Sequence, residues 1–115
     1  MSRAAAEGGV QQRRHHASVF AALGDETRLS LVNTLADGGA RSITQLTGGS
    51  RLTRQAITKH LKVLEEAGIV RSARSGRQSL FQLDPAPMNE LRGYLERVGA
   101  QWDEVLGRLR ALVEG

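Results

Sequence analysis

A chain of 115 residues has room for one small domain with a modest core. It is 40% hydrophobic but only 3% aromatic, which favours Leu, Val and Ile helix packing over an aromatic-rich β fold. It carries a net charge of +4 and no cysteine, which excludes thiolate metal sites, thiol redox sensing and disulfides.

The opening MSRAAAEGGVQQRRHH lacks the apolar core of a signal peptide. No window approaches the ~18 apolar residues of a membrane span. A cytoplasmic protein that does not engage a membrane is expected. Residues 1–11 are rich in Ala, Gly and Gln and read as a flexible tail. The remainder, 12–115, reads as one domain. A helix is expected over 12–23, anchored by Phe20 and Leu23 and ended by Gly24. His15 and His16 lie within it. Adjacent helical positions point ~100° apart and do not chelate together, so two exposed histidines are expected rather than a metal site.

Asp25 is placed to N-cap a helix over Glu26–Asp37, with Leu29, Val32 and Ala36 as one stripe and Leu31 and Leu35 widening it. Ser42 and Gln45 stand in the spacing of a capping box and open a short helix, Ile43–Thr47, with Ile43 and Leu46 inward. Gly48-Gly49-Ser50 breaks the chain. A helix-turn-helix over 42–67 follows from two helices joined by a short glycine-containing turn.

The second of these helices carries the argument. In LTRQAITKHLKVLEEAG, Leu52–Gly68, the residues Ile57, Leu61 and Leu64 form one core stripe. Arg54, Gln55, Thr58, Lys59 and Lys62 cluster on the opposite side. Thr53 is a fitting N-cap and Gly68 a fitting residue beyond the C-terminal cap. No acidic residue occurs from Arg51 to Leu64, whereas an ordinary solvated face mixes both signs. Gln can pair with adenine, and Arg or Lys with guanine, in the major groove. Charge along the chain agrees. Residues 41–83 carry eight basic and two acidic residues, net +6, while residues 1–40 are neutral and residues 84–115 carry net −2. A localised basic patch is the electrostatic footprint of a nucleic-acid binder.

After Gly68 the hydrophobic period changes to two. Strands over 69–74 and 78–83 are expected around a Ser75-Gly76 turn. Arg71, Arg74 and Arg77 make this 69–83 hairpin a basic wing. Arginine there suits a DNA backbone or minor groove, and charge on an edge hairpin also protects it from aberrant pairing. Asp84-Pro85 then signals a helix start. Met88, Leu91, Leu95, Val98, Trp102, Val105, Leu109 and Leu112 alternate spacings of three and four. That is a coiled-coil seam sustained over more than three heptads. A helix over 85–113 would be about 40 Å long, more than the small domain can cover. A homodimer sealed by this seam, with Phe20 contributing, is expected. Packing against 12–23 within one chain is the other way to cover part of it.

Taken together, the expected fold class is mostly α with a small β-hairpin wing, a winged helix-turn-helix with terminal dimerisation helices. FAALGDETRLSLVNTLADG, LTRQAITKHLKVLEEAGIV and RSGRQSLFQLDP resemble the corresponding stretches of the ArsR-type family of small bacterial regulators, over roughly residues 17–113. The closing LDPAPMNELRGYLERVGAQWDEVL is similar to the cysteine-free subgroup associated with small START-like (SRPBCC) proteins. The resemblance implies that Thr53, Arg54, Gln55, Thr58 and Lys59 occupy DNA-reading positions, and Arg74 and Arg77 wing positions. His60 matches a family histidine, for which a packing or hydrogen-bonding role is expected. The sequence departs from the family's metal sensors. Ser42-Ile43-Thr44-Gln45-Leu46 stands where they place cysteines, and the last helix has no histidine. No metal site and no cofactor are expected. Gly48-Gly49-Ser50 implies a shorter first helix of the helix-turn-helix.

The function expected is a dimeric repressor that reads an inverted-repeat operator in double-stranded DNA. Its DNA-binding set is Arg51, Thr53, Arg54, Gln55, Thr58, Lys59, Lys62, Arg71, Arg74 and Arg77. A small-molecule effector acting through the dimer helices and autorepression set by concentration are both open. The alternative class is a protein-binding adaptor, since fold alone does not fix function. No phosphate loop, paired nucleophile and base, or close carboxylate pair suggests an enzyme.

Overall fold

The computed structural model describes the backbone of residues 3–115 and the side chains from Gly9 onward. Five helices and three strands follow in the order α1 (Arg3–Leu23), α2 (Glu26–Leu35), β1 (Arg41–Ser42), α3 (Ile43–Thr47), α4 (Arg54–Glu66), β2 (Val70–Ser75), β3 (Gln78–Leu83) and α5 (Pro85–Glu114). The chain divides into two compact units, Met1–Pro85 and Ala86–Gly115. No helix among the described residues is long and apolar enough to cross a membrane.

The first unit is built from short, well-capped helices. α1 starts at Arg3, so residues 3–11 are helical and not the tail expected; residues 1 and 2 lie outside the described residues. Ala4, Ala5 and Ala6 are the strongest helix formers available and offset Gly8 and Gly9. The buried face of α1 is His16, Val19 and Ala22, spaced by threes, whereas Phe20 is 39% exposed. His16 is thus not the exposed residue expected, because it shares the stripe of Val19 one turn on. Asp25 caps α2 as expected, its Oδ2 accepting from the Arg28 N–H at 3.0 Å. The helix stops at Leu35, two residues early, and Gly38 completes the turn at φ 84°. Its buried pair is Leu31 and Leu35, while Leu29 is exposed. Two overlapping apolar stripes were available, and tertiary packing selected the second.

α3 carries both arms of the capping box. The Gln45 N–H donates to Ser42 Oγ at 3.2 Å, and the Ser42 N–H donates to Gln45 Oε1 at 2.9 Å. α4 is capped by Thr53, whose Oγ1 accepts from the Ala56 N–H at 3.1 Å. Its C-terminus closes with a Schellman motif. The Ile69 N–H reaches Leu64 O and the Gly68 N–H reaches Glu65 O, both at 2.9 Å, with Gly68 at φ 78°. Ile57, Leu61 and Leu64 are buried as the periodicity predicts, and with Leu35, Ile69 and Val70 they form the centre of the core.

The sheet is antiparallel with strand order β1-β3-β2. β2 and β3 pair from Val70↔Leu83 to Ser75↔Gln78. The hairpin turn is therefore Gly76-Arg77, one residue later than expected. Gly76 takes φ 62° and Arg77 does not, the pattern of a type II′ turn. The third strand, β1, pairs Arg41 with Phe81 and Ser42 with Leu80. A two-residue strand has no periodicity to read, so only the hairpin is legible in the sequence.

The second unit is α5, a single helix of 30 residues. At ~1.5 Å per residue it is about 45 Å long. Leu91 is 5% exposed, but from Leu95 (52%) onward the seam lies open, including Trp102 (58%), Leu109 and Leu112.

Candidate nucleic-acid interface

α4 presents its polar residues as one surface. At 100° per residue, Arg54, Thr58, Lys62, Gln55 and Lys59 fall within an arc of about 140°. All five are exposed, as are Arg51 and Thr53 just before the helix. Glu65 and Glu66 follow only at the C-terminal end, so the positive charge concentrates on the first turns. The helix dipole adds to it there.

Hydrogen bonding divides these residues chemically. The Thr53 oxygen is occupied by its cap, which leaves its O–H free to donate, as a phosphate oxygen requires. The Thr58 O–H is already donated to the Arg54 carbonyl at 2.7 Å. Thr58 therefore meets a ligand as an acceptor or through its methyl group. Arg54 Nη1 donates to Thr44 Oγ1 on α3 at 2.9 Å. The sequence gives Thr44 no DNA-facing role. Its partner lies ten residues away across a turn, and no periodicity reports such a contact.

Eight basic residues lie between 41 and 83. One of them is consumed by the fold. Arg41 grips Asp37 with two N–H groups, at 2.6 and 3.1 Å, and also donates to the Thr34 carbonyl. The hydrogen bonds from Arg41 hold the Asp37 carboxyl below its ordinary range, with the Gly39 N–H next in effect. Arg51, Lys59, Lys62, Arg71, Arg74 and Arg77 have no hydrogen-bond or ion-pair partner among the described residues. These six cations, uncompensated among the described residues, leave this unit strongly positive.

The wing does not bring its three arginines together. Strand neighbours alternate between faces. Arg74 shares a face with Val70 and, through the register, with Ser79 and Phe81. Arg71 stands on the opposite face beside Gln82, and Arg77 occupies the turn.

Behind the surface, Arg28 ties three helices. Its Nε donates to Ala22 O at 2.5 Å and its Nη2 to Ala21 O at 3.5 Å, both on α1. Its Nη1 lies 3.3 Å from His60 Nδ1 on α4. A guanidinium only donates, so in this contact the imidazole nitrogen accepts. The hydrogen-bonding role expected of His60 is observed, and Arg28 is its unforeseen partner. Asp25 Oδ2 lies 3.7 Å from the same nitrogen. The hydrogen bond from the Arg28 N–H, with the Arg28 charge adding to it, holds the Asp25 carboxyl below its ordinary range against the opposing effect of burial. No cluster of three or more His, Asp or Glu able to hold a metal occurs among the described residues.

This arrangement is shared with known proteins. Residues 23–73 match a helix-turn-helix domain family. An uncharacterized HTH-type transcriptional regulator of Bacillus subtilis, YuzN, is 37% identical over 86 residues, 69% of this chain and 94% of that protein. An ArsR-like transcriptional regulator from Rhodococcus sp. RHA1 is 38% identical, with a TM-score of 0.73 over 87% of this chain and 93% of that one. The chain belongs to the ArsR-like family. It is a DNA-binding transcriptional regulator of winged helix-turn-helix fold. A homodimeric winged helix-turn-helix domain from Mycobacterium bovis, Mb0332, shares the fold at 22% identity, with a TM-score of 0.63 over 88% of each chain. The matched residues 23–73 include α3 and α4.

Proposed function

We propose that this ArsR-like protein is a homodimeric, cytoplasmic repressor that reads an inverted-repeat operator. The observation that carries the reading is the acid-free arc of Arg54, Gln55, Thr58, Lys59 and Lys62 on α4, set among cations without partners. α4 enters the major groove by its N-terminal turns. Gln55 and Arg54 read base edges, with Thr58 accepting from an amino group or packing on a thymine methyl. Arg51, Thr53, Lys59 and Lys62 hold the phosphates that fix its register. Arg74 and Arg77 clasp the flank, and Arg71 adds charge from the other face of the wing.

Dimerisation uses Met88, Leu95, Val98, Trp102, Val105, Leu109 and Leu112 of α5, with Phe20 of α1 at the margin, whereas Leu91, at 5% exposure, is already buried within the protomer and is not a dimer contact. The exposed part of this seam and the homodimeric M. bovis relative support that choice. A twofold protein calls for half-sites about one helical turn apart, or a multiple of it. Repression follows from occupying promoter DNA. An effector that changes the spacing of the two α4 helices would relieve it.

The test is fluorescence anisotropy on DNA from upstream of its own gene, at two salt concentrations and against a scrambled competitor. Tight binding that weakens steeply with salt yet survives the competitor is expected. Gln55→Ala should relax base preference at one position by about 1–3 kcal/mol, whereas Arg77→Ala should weaken all sequences alike. Equal, uniform losses from both would refute the division into readers and anchors. Failure to bind at either salt would point to a protein-binding adaptor.

A further inference from the structure

We propose that Thr44 is a specificity-determining residue, one that acts by positioning Arg54 rather than by touching DNA. The inference rests on the DNA-reading role of Arg54 given above. Arg54 is the first helical residue of α4, exposed, and its side chain makes a single hydrogen bond, from Nη1 to Thr44 Oγ1 at 2.9 Å. A free arginine side chain carries more rotamer entropy than most and loses it on contact. Bidentate recognition of guanine fixes the guanidinium plane, so a plane already restricted before contact loses less freedom on binding. One bond at one terminal nitrogen restricts that plane and leaves Nε and Nη2 free to donate.

Thr44 is well suited to the task. It is β-branched, so its χ1 is stiff. Its helix is fixed at both ends, by the Ser42–Gln45 capping box and by the Gly48 N–H donating to the Thr44 carbonyl at 3.1 Å. Leu46, buried, anchors the same helix to the core. The 44–54 segment also contains Gly48 and Gly49, and Gly49 takes φ 80°. The bond thus closes the most permissive connection of the helix-turn-helix from outside.

The contrast with Arg41 shows what kind of partner Thr44 is. Arg41 is held by the Asp37 carboxylate, which cancels its charge. Arg54 is held by a neutral hydroxyl. It is oriented and keeps its full positive charge for DNA.

The experiment compares wild type with Thr44→Val, Thr44→Ser, Arg54→Ala and the Thr44→Val/Arg54→Ala double variant. The probe is the duplex selected by wild type from a randomised pool, together with each single base-pair substitution of it. Arg54→Ala identifies the base pair that Arg54 reads. At that pair alone, Thr44→Val should lose discrimination by roughly tenfold, within the range of one bidentate contact. Its salt dependence should match wild type, because no charge is removed. Thr44→Ser should retain discrimination. In the Arg54→Ala background, Thr44→Val should change nothing.

Three results would overturn the proposal. The first is discrimination by Thr44→Val like that of wild type at every base pair. The second is an equal weakening of all sequences with or without Arg54, which would make Thr44 a phosphate contact or a support of α3. The third is failure of Thr44→Ser to rescue. If Arg54→Ala reads every base pair as wild type does, Arg54 is no reader, and the inference falls with that assignment. If wild type selects no sequence at all, the DNA-reading function itself fails. Thr44→Val is near-isosteric and exposed, and a melting curve matching wild type confirms that it folds.

Discussion

Gly68 sits where α4 turns back towards the sheet, at φ 78°, with its N–H closing the Schellman motif on Glu65 O. A Cβ in this left-handed conformation costs about 1–2 kcal/mol. Gly68→Ala should lower stability by that amount in urea denaturation, with little change in slope. Asp25 offers a different residue-scale test. Asn caps a helix about as well as Asp, so Asp25→Asn removes the charge and keeps the cap. The native carboxyl is held below its ordinary value. Its ionised form therefore adds stability that is present above the ordinary carboxylate range and lost as pH falls through the native value. Melting temperatures of Asp25→Asn and wild type should differ at neutral pH and converge in acid. A gap that stays constant with pH would mean that the charge contributes nothing.

Among the elements, what the sequence made legible was whatever repeats. Ile57, Leu61 and Leu64 recur at helical spacing and are buried. The caps at Asp25, Ser42 and Thr53 are local signals, each within three residues of its partner. The phase of α1 and α2 was not legible, because Phe20 and Leu29 are as apolar as the residues that are buried instead. Nor were β1, the Thr44–Arg54 bond or the Arg28 cluster, which join residues far apart in sequence. The wing shows the limit from the other side. Its arginines are obvious, but a turn placed one residue later, together with strand alternation, decides which of them share a face. Arg28 is the element-scale prediction. It spans α1, α2 and α4 through a fork that an ammonium cannot reproduce. Arg28→Ala should cost about 1–3 kcal/mol. Arg28→Lys should not restore it, and amide exchange should quicken in the last turn of α1.

For the whole molecule, charge and apolar surface are segregated. The winged unit is cationic, while α5 is net acidic and bears the open seam. In the proposed dimer, association through α5 and DNA contact through α4 use different chemistry and can be broken separately. Leu109→Glu should yield a monomer in analytical ultracentrifugation with the winged unit still folded. Its operator affinity should fall by at least about tenfold as the two half-sites lose their linkage. Unchanged sedimentation would remove α5 as the dimer contact.

Trp102, the chain's single tryptophan, lies within that exposed seam. The intrinsic emission of the protein therefore originates at one place on α5. Diluting a dimer into monomers should shift that emission to the red as the indole becomes hydrated. Anisotropy decay of the same signal would follow subunit exchange without any attached dye. Melting of the winged unit alone should pass almost unseen by this fluorophore, so an optical unfolding curve would describe association first and the DNA-reading fold hardly at all.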